Sequence, residues 1–343
     1  MLETKTVTNG PISSLFSVTC RAKLAKFPAE QEKFSDQNSG MELSHAARDW
    51  LRRVRRAGRQ LLRAASVAAE EYGIRYELTA CLKFKNEALF LPEWIEFHQI
   101  VGFEHFYLYN NNSTDNYREA VAPYCEEGSV TLYEWPDVPA FPKSDEHCVA
   151  HHRHEARWIA FLDADEFLFP VNGTDVRKIL RRYESYPALA VHWLMFGSSG
   201  HVRRPDGLVL ENYQHCQRDV SPTIKSIINP RRVEASRSPH HWLYKNHELA
   251  SDENERPLKG WSSTLAAAEV LRINHYWSKS WEDGQNKIAR GTQDRWTAEN
   301  APRSMELWHK FDSRMNTVED RQILRFVPEL KRRLEMRAQR RNR

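Results

Sequence analysis

Three carboxylates, Asp163, Asp165 and Glu166, follow directly on the apolar run Trp158-Ile159-Ala160-Phe161-Leu162, and Phe167-Leu168-Phe169 resumes that run at once. A short continuous apolar run reads as a strand buried on both faces, as in a parallel sheet. An unpaired carboxylate in such a place costs several kcal/mol or takes up a proton. A divalent cation is the natural partner. Residues two apart on an extended chain point the same way, so Asp163 and Asp165 could share one metal, with Glu166 turned aside. Hard oxygen ligands of this kind suit Mg²⁺ or Mn²⁺, usually together with substrate phosphates. Open α/β sheets bind ligands just beyond the carboxyl ends of their strands, which is where this cluster falls.

Other groups could serve the same chemistry. His275 ends the apolar segment Leu271-Arg272-Ile273-Asn274. It reads either as a metal or phosphate ligand or as a structural imidazole beside Trp277. Lys225 and Lys279 are candidate cations for a diphosphate, against the ordinary alternative of solvated lysines. Asn86-Glu87 precedes a helix and could bind a ligand, cap that helix, or do both. His147, Cys148, His151, His152 and His154 invite a zinc reading, with His147 and His151 one helical turn apart. No second ligand pair stands at a matching distance, so zinc is disfavoured.

The elements that must position these groups alternate between strand and helix. Glu77–Phe84, Phe103–Tyr109, Val130–Glu134 and the Trp158 segment read as strands. Helices are expected from about Leu91 to Val101, Tyr117 to Tyr124, Asp145 to Glu155 and Val176 to Tyr183. That alternation predicts an α/β domain with a mostly parallel sheet and flanking helices. Leu189–Met195 and Leu271–Trp277 read as later strands, and about Trp281–Arg290 and Val318–Arg333 as closing helices. A long polar stretch with Lys225, His240, His241 and His247 lies between them.

The chain has 343 residues and a net charge of +4, enough for one large domain or two smaller ones. Residues 1–40 are polar and aperiodic and are expected to be disordered. Met41 opens a helical pattern and would serve equally well as a start. Residues 41–74 read as a basic amphipathic helix, 75–335 as the globular domain and 336–343 as a basic tail. The arginine-rich helix suggests peripheral contact with an anionic membrane, with no specific nucleic-acid motif. Five scattered cysteines, no apolar run of about 18 residues and no secretory signal place the expected location in the cytoplasm, peripherally at the inner face of the membrane.

The motifs taken together resemble family 2-like glycosyltransferases and, in their later blocks, the family 92 (domain-of-unknown-function 23) branch. Cys81-Leu82-Lys83-Phe84-Lys85-Asn86-Glu87 is similar to the first strand and loop of that group. Phe106-Tyr107-Leu108-Tyr109-Asn110-Asn111-Asn112-Ser113-Thr114-Asp115-Asn116 is similar to the second, and Asp163-Ala164-Asp165-Glu166-Phe167 to its metal-binding DxD. Phe196-Gly197-Ser198-Ser199-Gly200, Lys225-Ser226-Ile227-Ile228-Asn229-Pro230 and Asn274-His275-Tyr276-Trp277-Ser278-Lys279-Ser280 resemble the later blocks. The order and spacing of the blocks, across roughly residues 76 to 330, carry more weight than any one of them.

The resemblance implies a GT-A type, Rossmann-like fold. It implies transfer of a hexose from a nucleotide-sugar, UDP-linked, to a glycan or lipid-linked acceptor, with inversion and with Mn²⁺ or Mg²⁺. By position, Lys83, Asn86, Glu87, Asp115, Asp163 and Lys279 would bind the donor. Asp163, Asp165 and His275 would hold the metal, and Gly197, Ser198, Ser199 and Gly200 would shape the acceptor side. An inverting transfer needs a base on that side. Glu248, Asp252, Glu253, His240, His241 and His247 all fall in the right region, and Glu248 and His247 are preferred among them. Two other readings stay open. One is a nucleotidyl- or phosphotransferase, against which stands the lack of a Gly-rich phosphate loop. The other is a non-catalytic sugar- or polyanion-binding protein on the same scaffold.

Overall fold

The structure is a computed structural model that describes residues 73–291 and 304–341. The expected disordered segment and residues 41–72 of the expected basic helix lie outside the described residues. The first half runs β1 (Tyr76–Phe84), α1 (Leu91–Ile100), β2 (His105–Asn110), α2 (Tyr117–Glu126), β3 (Val130–Glu134), α3 (Lys143–His152), β4 (Ala156–Phe161), β5 (Glu166–Pro170), α4 (Val176–Leu180) and β6 (Ala188–Met195). Then come α5 (Val209–Asn212), β7 (His215–Cys216), β8 (Ile224–Ile228), β9 (Val233–Ser238), β10 (His241–Tyr244), β11 (Ala250–Ser251), β12 (Pro257–Leu258) and β13 (Leu271–His275). The last described elements are α6 (Trp281–Ala289), α7 (Met305–Met315), β14 (Val318–Glu319) and α8 (Val327–Arg341).

The main sheet has the order β12-β11-β6-β8-β4-β1-β2-β3, with β13 joining β5 and β6. β4, β1, β2 and β3 are parallel neighbours. The chain therefore leaves β1 toward β2 on one side and returns to β4 on the other. A sheet that reverses its order in this way opens a crevice at the carboxyl ends of the two strands at the switch. Those ends are Phe84 and Phe161, and Asp163 lies two residues past the second.

Alternation along β1 feeds both faces of the sheet. Leu78, Ala80, Leu82 and Phe84 pack with Trp94, Ile95 and Phe97 of α1 and with Phe106 and Leu108 of β2. Cys81 packs on the other face with Tyr107 and Tyr109, with Cys148 and Val149 of α3, and with Trp242 and Tyr244 of β10. The β4 and β5 residues that flank the carboxylates are almost all buried, as a strand covered on both sides requires.

The second half departs from the sequence reading. The expected polar stretch is largely strand. β8 lies antiparallel between β4 and β6, and β9 and β10 form a hairpin. All five β8 residues are buried, including Lys225, whose charge is met by carboxylates rather than by water. The last helix begins at Val327, after a 3₁₀ segment at Gln322–Phe326, and runs on to Arg341. Residues 336–341 thus belong to a helix rather than a tail. Arg337 pairs with Glu96 and Glu127, and Arg333 reaches Glu96 at 3.3 Å.

One packing contact carries a pH dependence. Glu93 of α1 is 6% exposed and accepts hydrogen bonds from the backbone N–H of Val209 (2.9 Å) and Leu210 (3.1 Å). Burial outweighs those bonds and raises its carboxyl from 4.5 to about 7. Between these values the folded chain keeps a proton that the unfolded chain has lost, so stability falls as pH rises through the window. The full cost is about 3 kcal/mol. Glu93→Gln should therefore gain stability relative to wild type at pH ~8 but not at pH ~5 in urea unfolding. An equal difference at both pH values would refute this.

Candidate functional site

A cleft of about 640 Å³ opens at the switch point, in the size range of small-ligand pockets. β1 and its loop contribute Lys83, Lys85 and Glu87, and the β4–β5 turn contributes Asp163, Ala164 and Asp165. β13 and the residues after it contribute His275 and Trp277, and α6 contributes Lys287 with Arg290 just beyond it. β6 supplies Trp193, the loop before β10 supplies His240, and α7 supplies Phe311 and Arg314.

The acidic turn is fastened from several directions. Trp94 of α1 donates its indole N–H to the carbonyls of Asp163 (3.1 Å) and Glu166 (2.9 Å). The Asp163 N–H donates to the Glu166 side chain at 3.0 Å. Glu166 is therefore turned inward, fully buried, while Asp163 faces the cleft with 40% of its side chain exposed. Burial would raise the Asp163 carboxyl, but Lys225 (2.9 Å) and Lys83 hold it well below the usual carboxylate range. Burial prevails at Glu166 and pushes it up, with Lys225 opposing from 3.5 Å.

Asp165 is 8% exposed and receives Lys287 Nζ at 2.6 Å, and His275 Nε2 lies 3.5 Å from its other oxygen. Lys287, and after it His275, overcome burial and keep Asp165 ionised far below its ordinary value. Lys287 also donates to the Trp277 carbonyl at 2.9 Å. His275 is held neutral by burial, against the pull of Asp165.

The donor set suits a divalent ion. Two ligands ~2.1 Å from one Mg²⁺-like ion at a right angle lie ~3 Å apart, close to the Asp165–His275 separation. His275 Nδ1 and Glu166 Oε1 are both buried without a hydrogen-bond partner and stand 3.9 Å apart. A carboxylate behind a ligating imidazole is the usual second support of a metal site. Among the described residues no three His, Cys, Asp or Glu side chains stand close enough together to hold a metal ion, so the protein side of the site is the Asp165–His275 pair. Remaining positions would fall to substrate phosphates and water, as Mg²⁺ and Mn²⁺ commonly require.

The other expected residues divide into two groups. Lys83 and Glu87 line the cleft; Lys83 pairs with Asp145 at 3.3 Å, and Glu87 with Arg290 at 2.5 Å. Lys279 stands behind them, 3.8 Å from Glu87 and over the Phe90 ring. Asn86 has φ +54° and ties the first loop to the second, accepting from the Thr114 N–H at 2.7 Å. Asp115 accepts from the Ala88 N–H at 2.8 Å, and its other oxygen is buried without a partner.

Gly197 to Gly200 do not line the cleft. They clasp α7: Ser198 donates twice to Asp312, and the Ser199 N–H donates to Asn316 at 2.8 Å. A Cβ on Gly197 would collide with the Asn316 side chain. Glu248 is taken up in a paired contact with Arg232 (2.6 and 2.9 Å), and neither it nor His247 is among the cleft residues. Asp252 binds Arg256, and Glu253 caps the backbone at Glu269 and Val270. Of the six residues weighed as a base, His240 alone lines the cleft. His147 and His151 stack on each other at 3.8 Å, and the His147 ring bonds the Tyr109 hydroxyl at 2.9 Å, a packing role.

Lys287 and Arg290 were not singled out from the sequence. Their one signal is a spacing of three on the helix that follows the His275 block, which puts both on one side.

The sequence pattern of glycosyltransferase family 92 matches residues 76–305. A glycosyltransferase family 92 protein of Ricinus communis is 28% identical over 242 residues, which cover 64% of this chain and 41% of that one. A glycosyltransferase family 92 protein of Oryza sativa subsp. japonica is 29% identical over 223 residues, covering 62% and 35%. The chain thus spans about two fifths of the length of these curated relatives. Among solved structures, S. aureus TarS in complex with UDP aligns over 45% of this chain and 47% of that one, with 14% identity and a TM-score of 0.31.

Proposed function

The chain belongs to glycosyltransferase family 92, and from that premise we propose that it transfers a hexose from a UDP-sugar to a hydroxyl of a glycan or lipid-linked acceptor, with inversion and with Mn²⁺ or Mg²⁺. The observation that carries this reading is the pairing of buried, ionised Asp165 with neutral His275 at 3.5 Å, at the mouth of a cleft rimmed by Lys83, Lys287 and Arg290.

Asp165 and His275 would hold the ion, with Asp163 facing the cleft from the same turn, and when bound the ion would offset the charge of the departing diphosphate. The chain's own cations do the same work from fixed positions. Lys287 and Arg290 face the diphosphate from α6, and Lys83 faces it from β1. Glu87 positions Arg290 through their ion pair. Asp115 and Asn86 act indirectly by shaping the first two loops around the nucleoside. The 197–200 loop acts on the acceptor side in the same way: it fixes α7, which places Phe311 and Arg314 in the cleft.

Thermal shift with Mn²⁺ and a panel of nucleotides tests the reading. Mn²⁺ with UDP at ~100 times its dissociation constant should stabilise the fold by about 2.7 kcal/mol, and UDP without metal by much less. A preference for nucleoside triphosphates would instead favour a nucleotidyl- or phosphotransferase. No response to any nucleotide would overturn the proposal.

The described residues contain no helix long and apolar enough to cross a membrane. The proposed contact with anionic headgroups belongs to residues 41–72, outside the described part.

A further inference from the structure

We propose that His240 is the general base of the transfer: its Nε2 takes the proton of the attacking hydroxyl. The inference rests on the transferase reading above and adds to it the residue that activates the acceptor.

Three bonds fix this residue. Its backbone N–H donates to Ser238 Oγ at 3.2 Å, and its carbonyl accepts from Ser226 Oγ at 2.8 Å. Its ring Nδ1 lies 3.1 Å from the Ile224 carbonyl. A carbonyl only accepts, so Nδ1 carries the proton and the lone pair of the neutral ring sits on Nε2. Nε2 has no hydrogen-bond partner among the described residues, and the residue lines the cleft. The edge of the ring packs on Trp193 (5.1 Å between centroids), which also packs on His275 (4.4 Å). One indole therefore spaces the imidazole from the metal-side histidine. A base oriented by a bond to its far nitrogen, with its near nitrogen open, is the arrangement that proton abstraction requires.

The electrostatics keep the free ring neutral. Burial, and then the Lys225 ammonium, push the ring down to about 3, so it is neutral when the acceptor arrives. Lys83 acts in the same sense and Asp163 in the opposite one. Lys83 lines the cleft, so a bound nucleotide diphosphate brings negative charge to that lysine. It therefore raises the proton affinity of His240 at the stage when a proton has to be accepted.

The step balances without a further reagent. The acceptor oxygen attacks the anomeric carbon, and the bond from that carbon to the β-phosphate oxygen breaks, its electron pair leaving with UDP. The hydroxyl proton passes to Nε2 and is returned to water as product departs.

The test uses His240→Ala and His240→Gln in the full chain. UDP release from UDP-glucose, UDP-galactose and UDP-N-acetylglucosamine is followed with water as acceptor, alongside calorimetric binding of Mn²⁺ and UDP. Turnover is expected to fall about 10²- to 10⁴-fold, with UDP affinity within about threefold of wild type and partial recovery of His240→Ala by added imidazole. Turnover within about fivefold of wild type, with binding intact, overturns the inference alone. So does a loss that tracks weaker UDP binding and ignores imidazole, since that is a structural role. A wild-type chain that binds no Mn²⁺ and UDP overturns the donor reading as well.

Discussion

Asp165→Asn is expected to lower Mn²⁺-dependent UDP-sugar turnover by about 10³-fold and to abolish stabilisation by Mn²⁺ with UDP. The amide keeps the shape of the side chain and removes its charge. Two groups depend on that charge. Lys287, at 2.6 Å, would face a neutral oxygen, and His275, at 3.5 Å, would lose its anionic neighbour. Little water is present to compensate, since the Asp165 side chain is 8% exposed and Lys287 11%. Asp163→Asn should cost less. Its side chain is 40% exposed, and Lys225 beneath it keeps the buried Glu166 as a partner at 3.5 Å. The order Asp165 above Asp163 distinguishes this geometry from a symmetric carboxylate clamp. Turnover of Asp165→Asn within tenfold of wild type, with Mn²⁺ dependence retained, would remove Asp165 from the metal.

The same carboxylate has a stability consequence of defined sign. Lys287 and His275 hold its folded value well below its ordinary one. The contribution is therefore present above the unfolded value near 3.8 and is lost as pH falls through the folded value. Wild type and Asp165→Asn should differ most in stability near neutral pH and converge in strong acid.

The carboxylate cluster was legible because local sequence sets it: a strand buried on both faces shows as a continuous apolar run, and charges at its end stand out. The first loop, the second loop and His275 share that property, each closing an apolar strand. The partners of those carboxylates were not legible in the same way. Lys287 meets Asp165 across 122 residues and Lys225 meets Asp163 across 62, through a strand order that no periodicity encodes. β8 was missed because a buried lysine in Ile-Lys-Ser-Ile-Ile reads as polar until its carboxylates are known. β9, Val-Glu-Ala-Ser-Arg-Ser, buries only Val233 and carries little apolar signal on either face. α7 was missed for a similar reason, since Trp308 and Met315 are its only buried side chains. The proposed base, His240, is one of six polar residues that the sequence offered for the role, and only the cleft separates them. Glu248 turned to Arg232, whereas His240 turned inward.

Trp94 links the core to the site, and its removal should have the largest effect on stability. It is fully buried, packs edge-on against Phe106 at 5.6 Å and lies 4.3 Å from the His98 ring. Trp94→Ala is expected to cost about 3–5 kcal/mol in urea unfolding, from lost burial and the cavity left in the α1 face of the sheet. That variant alone cannot separate packing from the indole N–H, so Trp94→Phe is the informative partner. Phe fills most of the space but leaves the carbonyls of Asp163 and Glu166 without their shared donor. The stability cost should then fall to about 1–3 kcal/mol. The effect on the site should persist, because the turn that aims Asp163 and Asp165 has lost its anchor to α1. Mn²⁺ and UDP binding by calorimetry should weaken about tenfold or more, the usual cost of removing a support behind metal ligands. If Trp94→Phe loses stability but binds Mn²⁺ and UDP as tightly as wild type, the indole fastens the core alone, and the acidic turn holds its shape through the Asp163–Glu166 bond and Lys225.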